Sequence, residues 1–107
     1  VSGELLSILT DRRDATAFIT AAGELDVSTV DSLEREIRTA EQGDAEEIVL
    51  DLSGLTFVDS TGLRLVLEVN SRCGGDTGRL RVIGGSASLE RLLDVVGLRE
   101  RLPLISP

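Results

Sequence analysis

Apolar positions along this chain fall into runs whose spacing changes several times, and each change marks an element. Leu5 to Leu9 and Ala15 to Ala22 are apolar-rich segments separated by Asp11-Arg12-Arg13-Asp14, which reads as a charged turn. A β-hairpin is therefore expected to open the chain, with Phe18 as the core anchor of its second strand. Gly23-Glu24-Leu25-Asp26 leads out of it. From Val30 the period becomes helical: Val30, Leu33, Ile37 and Ala40 share one face, while Asp31, Glu34, Arg35 and Arg38 fill the other. Ser28 is the expected N-cap, with Asp31 three residues on. Glu34 and Arg38 stand four apart in the favourable order, and Gln42-Gly43 suits the helix end.

The central stretch, Ile48 to Val69, organises the rest. Ile48, Val49, Leu50 and Leu52 form an apolar run broken only by Asp51, as in a strand of a parallel sheet buried on both faces. Ser53-Gly54 reads as a turn. After Asp59-Ser60-Thr61-Gly62, a second run at Leu63, Leu65, Val66, Leu67 and Val69 lacks strict alternation and reads as a largely buried helix opening near Ser60. That helix ends around Arg72-Cys73, before a Gly74-Gly75-Asp76-Thr77-Gly78 loop. Leu80 to Ile83 is a further strand, closed by Gly84-Gly85. Ser86 or Ser88 caps a third helix with Leu89, Leu92, Leu93 and Val96 on one face, ended by Gly97. The tail with Pro103 and Pro107 has room for a short strand or a helical turn. Strands that alternate with helices after an opening hairpin predict one small α/β domain over residues 1–107, a mixed β-sheet with helices packed mainly on one face.

Composition narrows the chemistry by what it lacks. The 107 residues hold no His, Lys, Tyr, Trp or Met, all eleven basic residues are Arg, and the net charge is -8. A Ser-His-Asp arrangement, a usual zinc site, a P-loop lysine and a Ser-Lys dyad cannot be assembled. The acidic balance argues against nucleic acid and anionic membrane surfaces as partners. No apolar run approaches the roughly 20 residues that span a bilayer. Single Cys73 permits no internal disulfide, and no signal-peptide pattern opens the chain, so a cytoplasmic location is expected. Its place near a helix end gives the thiol nothing from the positive pole, and a passive residue is expected. The acidic residues lack EF-hand spacing and read as a solvated face, with no metal or other cofactor expected. An enzyme is not expected.

Asp59-Ser60-Thr61-Gly62 is the strongest candidate site. Its plain reading is a helix cap, in which the hydroxyls satisfy free N–H groups for about 1 kcal/mol. A functional reading rests on a polar cluster set between two apolar runs, at the presumed carboxyl end of a parallel strand, where open sheets place their sites. Gly62 is expected to leave the first helical turn bare for another protein, and the helix mouth to welcome an anion.

The stretch from Ile48-Val-Leu-Asp-Leu-Ser to Val58-Asp59-Ser60-Thr61-Gly62-Leu63, together with Gly23-Glu24-Leu25-Asp26 and its following helix, resembles STAS domains of the bacterial anti-sigma factor antagonists. The resemblance implies a protein that binds an anti-sigma factor with serine kinase activity when unmodified and is released on phosphorylation, so regulating sigma-factor-dependent transcription. It implies Ser60 as the phosphorylated residue, with Thr61 the adjacent and less favoured hydroxyl. Asp26 matches an acid the family places near the serine, and Asp59 the acid just before it. The partner surface is then expected to include Asp26, Asp59, Ser60, Thr61, Gly62 and Arg64, the last standing where several members carry Gly. A serine phosphatase is a further candidate partner. The alternative within the same resemblance is a STAS subunit of a membrane lipid or anion transport complex that docks permanently.

Overall fold

Residues Glu47–Val58 form the longest strand, β3, and it lies in the middle of a five-stranded sheet ordered β1-β2-β3-β4-β5. The computed structural model describes residues 5–73 and 78–105. β1 (Leu6–Arg13) pairs antiparallel with β2 (Thr16–Leu25), whereas β2, β3, β4 (Leu80–Ile83) and β5 (Leu104–Ile105) run parallel. The parallel strands are connected through α1 (Val30–Gln42), α2 (Ser60–Arg72) and α3 (Ala87–Val96). Because successive parallel strands add in one direction and such crossovers share one hand, all three helices fall on the same face.

The core follows from that layering. Ile48, Leu50 and Leu52 of β3, Ile19 and Ala21 of β2, and Leu80 and Val82 of β4 alternate toward the helices. They meet Leu33 and Ile37 of α1, Leu63, Val66 and Val69 of α2, and Leu89 and Leu93 of α3 in one cluster. The expected mixed α/β sheet with helices on one face is what the chain forms. The Glu34–Arg38 pair is present at 2.9 Å, and Gly97 closes α3 in the left-handed region at φ 72°. Ser86, rather than Ser88, caps α3, its hydroxyl accepting from Leu89 N–H at 3.0 Å. The tail supplies both a 3-10 turn, Arg99–Arg101, and the two-residue β5.

Five expectations are corrected. Phe18 is not a core anchor; it is only half-buried, on the helix-free face, where the register aligns it with Asp11, Val49 and Arg81. The inward neighbour Ile19 takes the core position, and the Arg13 guanidinium lies 4.6 Å from the Phe18 ring centroid. The charged segment Asp11–Arg13 belongs to β1, and the turn is Asp14-Ala15, with Asp14 at φ 53°. Edge strands carry such charges readily, and Arg13 pairs with Asp11 at 3.0 Å. Ser53-Gly54 is not a turn but an irregularity within β3, opposite the register shift between Thr20 and Ala22. Its local signal is real: Asp51 Oδ1 accepts from Ser53 N–H and Ser53 Oγ at 3.0 and 2.7 Å. Ser28 does not cap α1; Thr29 stands at the cap position without a side-chain cap bond. Val96 of α3 is 44% exposed, since α3 packs mainly on β3 and only Leu89 and Leu93 are fully covered. The Gly74–Thr77 part of the expected loop lies outside the described residues.

Candidate functional site

β2 and β3 end side by side, and this places the candidate residues together. Leu25 pairs with Val58, and Asp59 N–H donates to the Leu25 carbonyl at 3.3 Å. Asp26 and Asp59 therefore emerge from adjacent strand ends at the carboxyl edge of the sheet. Gly23 makes this possible at φ 110°: a side chain there would meet the Leu5 carbonyl oxygen at 2.1 Å, and Leu5 also accepts from Glu24 N–H at 2.8 Å.

Asp59, not a hydroxyl residue, caps α2. Its backbone is extended, and its Oδ1 accepts from Thr61 N–H at 2.9 Å and from Gly62 N–H at 3.1 Å. The carboxylate takes two of the first-turn donors, so the helix mouth is already occupied by an anion of the chain itself. That leaves Ser60, the first residue of α2, exposed and outside the cap. Thr61 is half-buried and Arg64 exposed. Gly62 turns inward: a Cβ there would meet Leu25 Cγ at 2.8 Å and Val58 Cγ2 at 2.9 Å. The expectation that Gly62 bares the helix for a partner is thus corrected; its missing side chain lets α2 settle on the strand ends.

Asp26 is fixed by its own loop. Ser28 Oγ and Ser28 N–H donate to Asp26 Oδ1 at 2.7 and 2.9 Å, while Thr29 Oγ1 donates to the Glu24 carbonyl and accepts from Asp26 N–H. The Ser28 hydroxyl, followed by the backbone donors and Thr29, holds the Asp26 carboxyl below its ordinary range. Asp26 is therefore an ordered carboxylate at neutral pH, beside the Asp59 strand end.

Apolar side chains flank this acidic edge. Val27 is 73% exposed in the β2–α1 loop and Phe57 47% exposed at the end of β3. Phe57 lines a groove of about 250 Å³ with Leu92 and Val95 of α3, and Arg91 and Ser88 at its border. Sequence reasoning missed these contacts, because an apolar residue at a strand end reads as core whichever way it points. The one available signal was the position of Phe57, one of only two aromatics, two residues before Asp59.

Cys73 lies away from this edge. Burial first, then the neighbouring Glu41 carboxylate, pushes its thiol upward, consistent with a passive role. Near Ser60 no histidine or lysine exists to act as base. The arrangement can present a hydroxyl for modification.

Residues 8–106 match the family model described as Mlab, STAS domain. The chain is a STAS domain. The anti-sigma-B factor antagonist of Staphylococcus aureus is 30% identical to this STAS domain over 95 residues, which cover 89% of this chain and 88% of that protein. Among solved structures, an anti-sigma factor antagonist from Mycobacterium paratuberculosis superposes with a TM-score of 0.83 at 26% identity, covering 95% of this chain and 86% of that one. The Bacillus cell fate determinant SpoIIAA in its phosphorylated form superposes with a TM-score of 0.68 at 25% identity, covering 94% and 92%. Among the described residues, no helix of the STAS domain is long and apolar enough to cross a membrane.

Proposed function

We propose that this STAS domain is an anti-sigma factor antagonist, and that phosphorylation of Ser60 switches it off. The exposed Ser60 hydroxyl at the first residue of α2, left out of the cap that Asp59 makes, carries the reading. The names of the similar proteins support it. Unmodified, the domain docks an anti-sigma factor that is also a serine kinase, through Asp26, Asp59, Ser60, Thr61 and Arg64, with Val27 and Phe57 as apolar contacts. The kinase supplies ATP and the base. A bond forms from Ser60 Oγ to the γ-phosphorus as the bond to the β-phosphate oxygen breaks, the hydroxyl proton passes to the kinase, and ADP leaves. The domain is the substrate and not the catalyst. A serine phosphatase restores the hydroxyl, and the cycle runs in the cytoplasm.

Phosphate brings about -1.5 to -2 charges and three oxygens beside the Asp59 carboxylate. An interface fitted to a neutral hydroxyl must then desolvate a dianion next to a carboxylate, which costs several kcal/mol. About 3 kcal/mol is more than a hundredfold in affinity. The expected outcome of incubation with the cognate anti-sigma kinase and ATP is a gain of one phosphate, localised to Ser60 by peptide mapping and absent from Ser60→Ala. Phosphate found elsewhere, or none with an active kinase, refutes the site.

A second reading is a permanently docked subunit of a membrane lipid or anion transport complex, with the Phe57–Leu92–Val95 groove as its apolar contact. Such a subunit keeps its partner in the presence of ATP and carries no phosphate.

A further inference from the structure

The neighbourhood of Ser60 raises an electrostatic problem for the phosphorylated state. Asp59 already occupies the Thr61 and Gly62 N–H groups, and Asp26 stands at the next strand end. A phosphate on Ser60 therefore arrives beside two carboxylates, with two first-turn donors taken. Repulsion of this kind destabilises the dianion and raises the second pKa of the phosphate unless a cation compensates.

Most of the chain's arginines are engaged. Arg72, for example, bridges α2 to Glu41 at 2.8 Å, and Arg79 donates to the Ala40 and Glu41 carbonyls at the end of α1. Arg35, Arg64, Arg91 and Arg101 have guanidinium groups that meet no carboxylate and donate no hydrogen bond among the described residues. Only Arg64 shares a helix with Ser60. It stands four residues on, one turn further along the same face, and both residues are exposed. An anion followed by a cation at i,i+4 is the favourable order on a helix. Arginine can also give two parallel N–H donors to phosphate oxygens. Glu68, one further turn along, is the nearest acid of α2 that competes for Arg64, and it forms no ion pair with it among the described residues.

We infer that Arg64 is the intramolecular counter-ion of phosphorylated Ser60: its guanidinium closes onto the phosphate across one turn of α2. The inference rests on Ser60 being the modified residue. It gives Arg64 two tasks: part of the docking surface in the unmodified state, and a clamp that draws the phosphate along the helix, away from Asp59 and Asp26, in the modified state. The clamp favours the dianionic form of the phosphate in the released domain.

The test uses full-length protein carrying phosphoserine at position 60 by direct incorporation, so it needs no kinase and stays informative even if the partner assignment fails. The phosphate is titrated by its phosphorus-31 resonance. Arg64→Ala is expected to raise the second phosphate pKa by about 0.2 to 0.4 of a pH unit, and Arg64→Lys by less. Arg35→Ala and Arg101→Ala, which remove exposed cations, one on α1 and one beside Asn70 near the far end of α2, are expected to leave it in place. An unchanged titration in folded Arg64→Ala overturns the inference. So does an equal shift in the Arg35 or Arg101 variant, which would mean a diffuse field rather than a clamp. Circular dichroism confirms the fold of each variant, and the surface position of Arg64 makes loss of folding an unexpected result.

Discussion

Ser60→Asp is expected to weaken binding of the anti-sigma kinase by a hundredfold or more, while Ser60→Ala binds within a few-fold of the unaltered domain. Both variants should fold. Ser60 is exposed, its hydroxyl takes no part in the cap, and an acid in the first turn of a helix is favoured by the dipole. The two substitutions thus separate charge from hydroxyl. Aspartate brings one negative charge beside Asp59 into a surface that must be desolvated on docking, and like-charge contacts in an interface cost several kcal/mol. Alanine removes only a hydroxyl whose hydrogen bonds to water are readily replaced. Titration calorimetry against the purified kinase measures both. Equal affinity of the Asp and Ala variants would mean that position 60 lies outside the docking surface.

Gly62→Val is expected to destabilise the domain by about 2 kcal/mol, with Gly62→Ala intermediate. The added Cβ would stand 2.8 Å from Leu25 Cγ and 2.9 Å from Val58 Cγ2. Neither atom has room to retreat: Leu25 is fully buried and Val58 only 6% exposed. Valine adds two methyl groups and restricted χ1 freedom to that overlap, whereas alanine recovers some helix propensity. The strain falls on the junction of β2, β3 and α2, so the Asp59 cap and the presentation of Ser60 are disturbed with it. Urea unfolding gives the loss as a lower midpoint at unchanged slope. A midpoint equal to that of the unaltered domain would show that α2 can lift off the strand ends without cost.

These two positions also show how far the sequence could be read. The order of elements was legible because the periods are long: thirteen residues of α1 and of α2 each carry a clear apolar stripe, and the alternation of strands with helices leaves few topologies. The helix start near Ser60 was legible from the polar cluster between two apolar runs. Which side chain caps it was not, because Asp, Ser and Thr all satisfy N–H groups and stand in adjacent positions. The structure gives the task to Asp59 and thereby frees Ser60. The direction of Gly62 was hidden for a similar reason, since a missing side chain suits close approach from inside as well as outside. Phe18 misled because size suggests burial, whereas the face a strand residue occupies depends on register. Ser28 misled because a hydroxyl before a helix serves equally well as partner to a loop carboxylate, here Asp26.

On the proposed function, the covalent state of one exposed oxygen on α2 governs docking. The most direct measurement follows the purified complex of this domain with its anti-sigma kinase by size-exclusion chromatography and intact mass, before and after addition of magnesium and ATP. The wild-type complex is expected to dissociate as the domain gains one phosphate, and the Ser60→Ala complex to persist under the same conditions. A wild-type domain that carries stoichiometric phosphate on Ser60 and still elutes with the kinase would contradict it.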